Sequence, residues 1–384
     1  MPHPPRPLSP PLTRRVRKVG APLGVLIALG TLAGLLVILL TAVNPAGTAL
    51  GLVLSSIAMV IVVLAYLWLD RWEPEPPRLL VLAFLWGASI AVVVATILEL
   101  AVEPVINPGG DKNTVSFASI AISAPVIEEA AKGAFLLLMM TGRRRNELNS
   151  LTDCLVYAGL TAAGFAWLED ILYIANGDSL GGSLLTAAMR LIMAPFAHPL
   201  FTTMTGIGVY FALQHRNVAV KAGYILLGYL GAVIMHGLWN GSAAFGVTAY
   251  LLVYALWMVP IFALAVALAV HSRLREQRVV ASKLPGMVEA GLVTSNEASW
   301  LGSIRTRKLA IGEATRHGGR AAGKTVKAFA AQVVELAFVR DRIDRGFGDQ
   351  RVFALQTDEA YGVYAARAAA PELQWLASYR APER

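Results

Sequence analysis

The sequence predicts an all-α, polytopic helical membrane protein with about eight transmembrane helices and a helical cytoplasmic tail. Three observations carry that prediction. Hydrophobic residues fill 56% of the 384 positions and charged residues only 15%, mean hydropathy is +0.58, and apolar runs long enough to cross ~30 Å of hydrocarbon recur along the chain. That composition excludes an ordinary soluble domain. The single cysteine, Cys154, excludes an intramolecular disulfide framework and a thiolate metal cage, so stability must come from helix packing.

Eight runs follow in order: residues 20–43, 47–69, 79–101, 116–140, 151–174, 184–213, 219–245 and 248–270. The first follows a Pro- and Arg-rich leader and ends at "TAVNPAG" without a small-residue cleavage pattern, so it reads as an uncleaved span. The sixth contains Pro195 and Pro199 and is expected to be kinked or broken.

Charge sets the direction. The formal net charge is +8, yet the basic residues follow topology rather than a nucleic-acid surface, and no nucleic acid partner is expected. Twelve of them fall on one side: Arg6, Arg14, Arg15, Arg17, Lys18, Arg71, Arg78, Arg143, Arg144, Arg145, Arg216 and Lys221. The opposite loops, near 102–115, 175–183 and 246–247, hold only Lys112. The positive-inside rule reads this as N-in and C-in.

After residue 271 the composition changes, with 18 of the 33 Lys and Arg and 12 of the 25 Asp and Glu residues in the last 113 positions. The predicted organisation is a leader over 1–19, a membrane domain over 20–271 and a cytoplasmic tail over 272–384. Within the tail, "TVKAFAAQVVELAFVRDRIDRG" spaces its apolar residues as an amphipathic helix that stops at Gly346 and packs on itself or on the membrane surface.

Polar groups interrupt four spans. The stretch "SAPVIEEAAKGAFLLLMM" puts Glu128, Glu129 and Lys132 in the fourth; Glu169 and Asp170 lie in the fifth, His198 in the sixth, and His236 and Asn240 in the seventh. A charge at bilayer depth costs roughly 2.5–3.5 kcal/mol on insertion scales, so the set needs a reason. Glu and His are the side chains of acid–base and metal chemistry. Glu128 with Lys132, Phe165 with Glu169, and His236 with Asn240 are each four apart and so share a helix face. Glu128 and Glu129 point about 100° apart, so one faces the site and the other a neighbouring helix. In the N-in orientation the set lies roughly 8 to 22 Å from the outer ends of the spans, at mid-membrane or in the outer half.

Structural readings compete. Glu128 and Lys132 suit an intrahelical ion pair, Asn240 and Asp170 suit interhelical hydrogen bonds, and Arg190, Glu99 and Asp153 read as interfacial or packing residues. Two histidines meeting at least two carboxylates across four spans favour function. The motif H-E-x-x-H is absent. From other function classes, a proton-coupled transporter would predict an internal repeat, which the sequence lacks, and a membrane scaffold would use the tail as its binding module.

"EEAAK" (128–132), "FAWLED" (165–170), "HPLFT" (198–202) and "HGLWN" (236–240), preceded by "DRWEPEP" (70–76), occur in order on successive spans. Over about 20–271 the chain thereby resembles the PrsW family of intramembrane proteases, part of a wider group with the CAAX-prenyl endopeptidases and bacteriocin-processing proteins. The resemblance implies a peptide-bond hydrolase of the bacterial inner membrane acting on a membrane-anchored protein. The family's best-known substrate is an anti-sigma factor, cut on its extracytoplasmic side in regulated intramembrane proteolysis.

It also implies roles. Glu128 or Glu129 is the general base, His198 and His236 bind a metal or polarise water and carbonyl, Glu169 is a further ligand or orienter, and Asn240 holds His236 or stabilises the oxyanion. Where the wider group has a His four residues after the phenylalanine, this chain has Glu169, as PrsW does. Two mechanisms stay open: zinc held by His198, His236 and Glu169 while a glutamate takes the proton, or Glu and His activating water without a metal.

Overall fold

A backbone surrounded by hydrocarbon must satisfy its own N–H and C=O groups. In the computed structural model, which describes residues 20–109 and 115–379, every regular element is a helix. The leader 1–19 and Lys112 lie outside the described residues. The chain forms two units divided between Glu276 and Gln277.

The first unit holds α1 (Leu23–Val43), α2 (Pro45–Leu69), α3 (Pro77–Trp86), α4 (Val92–Ile106), α5 (Ala124–Met139), α6 (Leu151–Ala175), α7 (Leu180–Ala187), α8 (Ala197–Leu213), α9 (Val218–Ala243), α10 (Val247–Val253) and the larger part of α11 (Val259–Glu289). Helix starts are written locally. Asn44 caps α2 by accepting from Gly47 N at 2.9 Å, Ser150 and Asp153 form a capping box on α6, and Asn217 caps α9.

Seven helical stretches among the described residues are long and apolar enough to cross a membrane. The fourth of the eight expected spans, 116–140, is not one of them. There a π-turn (Ser119–Ser123) leads into α5, and Glu128, Glu129 and Lys132 put three charges into the stretch. The sixth span is broken as its prolines predict: a π-turn (Ala188–Met193) and irregular residues 194–196 separate α7 from α8. Pro199 sits in the first turn of α8, where no intrahelical N–H is needed.

The bundle is built around α6. Of its apolar window 89% is buried, against 11% for α1. Close approach to α6 needs missing side chains: a Cβ on Gly164 would lie 1.9 Å from Phe84 O, and one on Gly87 equally close to Thr161 O. Gly208 and Gly228 do the same for α8 against α9, each facing the other helix's backbone carbonyl at 2.5 Å. Cys154 is fully buried on α6. Leu39, Leu100, Leu227 and Leu264 are exposed, the apolar exterior that a lipid solvent requires.

The second unit, from Gln277 on, inverts this pattern. It contains α12 (Ser295–Leu301), α13 (Ile304–Arg342) and α14 (Gln350–Ala368). Val326, Phe329, Ala330, Val333, Val334 and Ala337 form the buried stripe of α13, which packs on α14. Gly319 (φ 74°) interrupts α13, and Gly346 (φ 83°) ends the π-turn that follows it, the left-handed stop expected from the sequence.

Candidate active site

Four helices bring the polar set together. α5 contributes Glu128, Glu129 and Lys132, all buried, and α6, α8 and α9 contribute Glu169, His198 and His236. Lys132 is the hub. Its Nζ lies 2.7 Å from Glu129 Oε1, 3.2 Å from Glu128 Oε2 and 3.2 Å from His198 Nδ1, and 4.2 Å from the centroid of the Phe165 ring. The ion pair of the structural reading is present, and it is part of the cluster.

Hydrogen-bond chemistry fixes both imidazoles. An ammonium only donates, so His198 Nδ1 is the acceptor, and its Nε2 carries the hydrogen that is donated to Glu169 Oε2 at 2.7 Å. His236 Nδ1 donates to Glu129 Oε1 at 3.1 Å, which leaves a lone pair on Nε2. That Nε2 is buried, has no hydrogen-bond partner among the described residues, and lies 3.8 Å from Glu128 Oε2. The two rings meet edge to face at 5.1 Å, and Phe201 stacks on His236 at 4.7 Å. Glu129 is saturated: its other oxygen accepts from Thr202 Oγ1 at 2.7 Å.

The two adjacent glutamates therefore differ in surroundings. Glu128 faces the two imidazoles, and Glu129 bonds to Lys132, His236 and Thr202. Glu128, His198 and His236 can each offer one ligand atom within 4.8 Å of the others. Glu169, expected beside the histidines as a ligand, lies outside that group, accepting from His198 and from Arg190. Asn240 is half-buried one turn along α9 from His236, and among the described residues no hydrogen bond joins it to the cluster.

Sequence reasoning passed over two contributors. Arg190 read as a packing residue, but its guanidinium donates to both Glu169 and Asp170. Its signal was an arginine inside an apolar run two turns before a histidine. Thr202 carried a signal too, lying four residues after His198 on the same face.

Residues 75–265 match the family model of the PrsW family intramembrane metalloprotease. The chain belongs to the PrsW family. The match runs from the loop before α3 into α11 and contains every residue of the cluster, although it is shorter at both ends than the 20–271 that the motifs suggested. The PrsW protease of Geobacillus kaustophilus is 27% identical over 192 residues, 49% of this chain and 78% of that protein. That of Oceanobacillus iheyensis is 26% identical over 56% of this chain and 95% of its own length. The Bacillus subtilis PrsW protease is 27% identical over 48% of this chain and 78% of its own length. No solved structure matches. As a member of the PrsW family the chain is a multi-pass intramembrane protease, with a protein substrate and a bilayer around it.

Proposed function

We propose that Glu128, His198 and His236 activate a water molecule that hydrolyses a peptide bond of a membrane-anchored protein. One observation carries this reading. Two imidazole lone pairs, on His198 Nδ1 and His236 Nε2, are held beside one oxygen of Glu128, and the His236 lone pair has no partner among the described residues.

The donor set fits a divalent cation. It offers two nitrogens and one carboxylate oxygen, the ligand chemistry of catalytic zinc sites. Glu129 behind His236 and Glu169 behind His198 supply the carboxylate–histidine pairs that orient such ligands. The carboxyl groups of Glu128, Glu129, Glu169 and Asp170 also outnumber the permanent cations they face, Lys132 and Arg190, an excess of negative charge that a bound cation or protons would offset. Glu128, His198 and His236 would hold the ion, with Glu169 supporting His198. A zinc ion held there supplies Lewis acidity, bringing the pKa of water to about 7.

The protein's own groups then do the rest. Glu128 offers an ion only one oxygen, and through the other it takes a proton from the attacking water as the water oxygen bonds to the scissile carbonyl carbon. The same proton passes to the departing nitrogen as the C–N bond breaks, leaving a carboxylic acid and an amine, which become carboxylate and ammonium when the acid proton is transferred. Lys132 is placed to favour negative charge on the carbonyl oxygen. A metal-free version has its own support, because the Lys132 ammonium already bridges Glu128 and His198.

On the charge asymmetry, the chain sits N-in and C-in in a bacterial inner membrane, with a leader over 1–19, a membrane domain over 20–271 and a cytoplasmic tail over 272–384. In that orientation the site lies at mid-membrane or in the outer half of the bilayer, which suits a substrate such as an anti-sigma factor cut on its extracytoplasmic side. The test is elemental analysis of the purified protein beside Glu128→Gln, Glu169→Gln, His198→Ala and His236→Ala, each assayed for cleavage with and without chelator. About one zinc per chain, lost with either histidine, supports the metal version. Metal-free protein that cleaves in chelator overturns it in favour of the Glu/His version. Cleavage that survives both histidine substitutions overturns the whole reading.

A further inference from the structure

His198 is the second residue of α8, and the chain leading to it is irregular over 194–196 and π-helical over Ala188–Met193. A residue at the start of a helix, after a break, needs an outside tie to hold its ring in one orientation. Arg190 on the π-turn is placed to give one. Its guanidinium donates through Nη2 to Glu169 and through Nε to Asp170 Oδ1 at 2.5 Å, and it stacks 4.3 Å from the Tyr173 ring centroid, all three partners lying on α6. Glu169 in turn accepts from His198 Nε2 at 2.7 Å. Arg190 Nη2 also comes within 3.4 Å of that nitrogen, but both carry hydrogens, so Glu169 is the group that bonds the ring.

We propose that Arg190 is a positioning residue: by holding Glu169 against His198 Nε2 it fixes the tautomer whose Nδ1 lone pair faces Glu128 and His236. The inference rests on the water-activating reading above. An arginine suits the task because one planar fork serves two neighbouring carboxylates while stacking on an aromatic ring, and a lysine offers only a point charge. Without the fork, Glu169 is free to rotate away, Lys132 alone is left to hold the ring, and the tautomer with Nδ1–H, which offers the site no lone pair, gains population.

The test uses full-length protein in lipid bilayers, labelled with 15N-histidine and read by solid-state NMR, with the His198 signals identified by their loss in His198→Ala. Wild type should show His198 protonated at Nε2 alone, and Arg190→Gln should show both tautomers. Turnover in Arg190→Gln should fall at least about tenfold with KM within about twofold, and Arg190→Lys should recover part of the loss. Because Arg190 acts through Glu169, the double variant Arg190→Gln/Glu169→Gln should cost no more than the worse single variant. A wild-type tautomer pattern in a folded Arg190→Gln protein, or strictly additive losses, overturns the inference. Full cleavage by His198→Ala overturns the reading beneath it instead, so the two failures are distinguishable.

Discussion

Two buried acidic clusters lie in the membrane unit, and they are built to opposite ends. One is the Glu128–His198–His236 site. The other gathers Asp70, Glu75, Asp153 and Glu276, each no more than 6% exposed. In the second, oxygens are taken up by hydroxyls and backbone N–H groups: Tyr157 Oη donates to Glu75 at 2.7 Å, Asp153 accepts from Asn149 N and Ser150 N, and Ser150 Oγ bonds both Asp153 and Glu276. In the first, the imidazole Nε2 of His236 is left open. Burial and acidity are common to both. What separates chemistry from scaffold is the unfilled lone pair, since a saturated carboxylate has nothing left to give a substrate.

The sharpest way to break this comparison is to exchange the losses. Glu128→Gln should lower cleavage by roughly 10²- to 10⁴-fold, the usual worth of an acid–base group, while leaving the thermal unfolding midpoint near wild type. Parallel turnover and thermal-shift measurements decide it: equal damage to both would make the site another scaffold. Glu75→Ala should do the reverse. It strands the buried Tyr157 hydroxyl at a cost of about 1–3 kcal/mol in stability, with cleavage per folded molecule close to wild type.

Acidity sharpens the contrast further. Burial pushes the Glu75 carboxyl well above its ordinary 4.5, and Asp153, Asp70 and Glu147 add to the rise against the opposing Tyr157 hydrogen bond. A raised folded-state pKa means that the contribution of this group to stability is complete below pH 4.5 and declines as pH climbs toward the folded value. Glu75→Gln should flatten that part of the stability profile, and unfolding midpoints taken across pH would show it. An unchanged slope would mean that Glu75 does not hold its proton. The smallest effect belongs to Thr202→Val, which removes one hydrogen bond behind Glu129. Turnover should fall about 2- to 10-fold, corresponding to roughly 0.5–1.5 kcal/mol, and a steady-state assay suffices to detect it.

Much of this was legible in the sequence because it is local. Hydropathy marks the spans, Pro195 marks the break before α8, and spacings of four residues put Glu128 with Lys132 and His236 with Asn240 on shared faces. What was not legible depends on how each helix is rotated about its axis. Which of Glu128 and Glu129 faces the imidazoles, and that Arg190 reaches across to α6, follow from packing between helices. Asp153 and Glu169 look alike as single carboxylates in one helix. Only the neighbours differ: a capping box for one, a histidine and an arginine for the other.

One feature of α6 bears on the membrane orientation. Cys154 is the chain's only thiol and lies fully inside the bundle, out of reach of aqueous reagents. A cysteine introduced into any loop is then the sole accessible thiol that a membrane-impermeant maleimide meets from its side of the bilayer. The native chain is its own unlabelled background, and the side on which each loop sits can be mapped without first replacing a core residue.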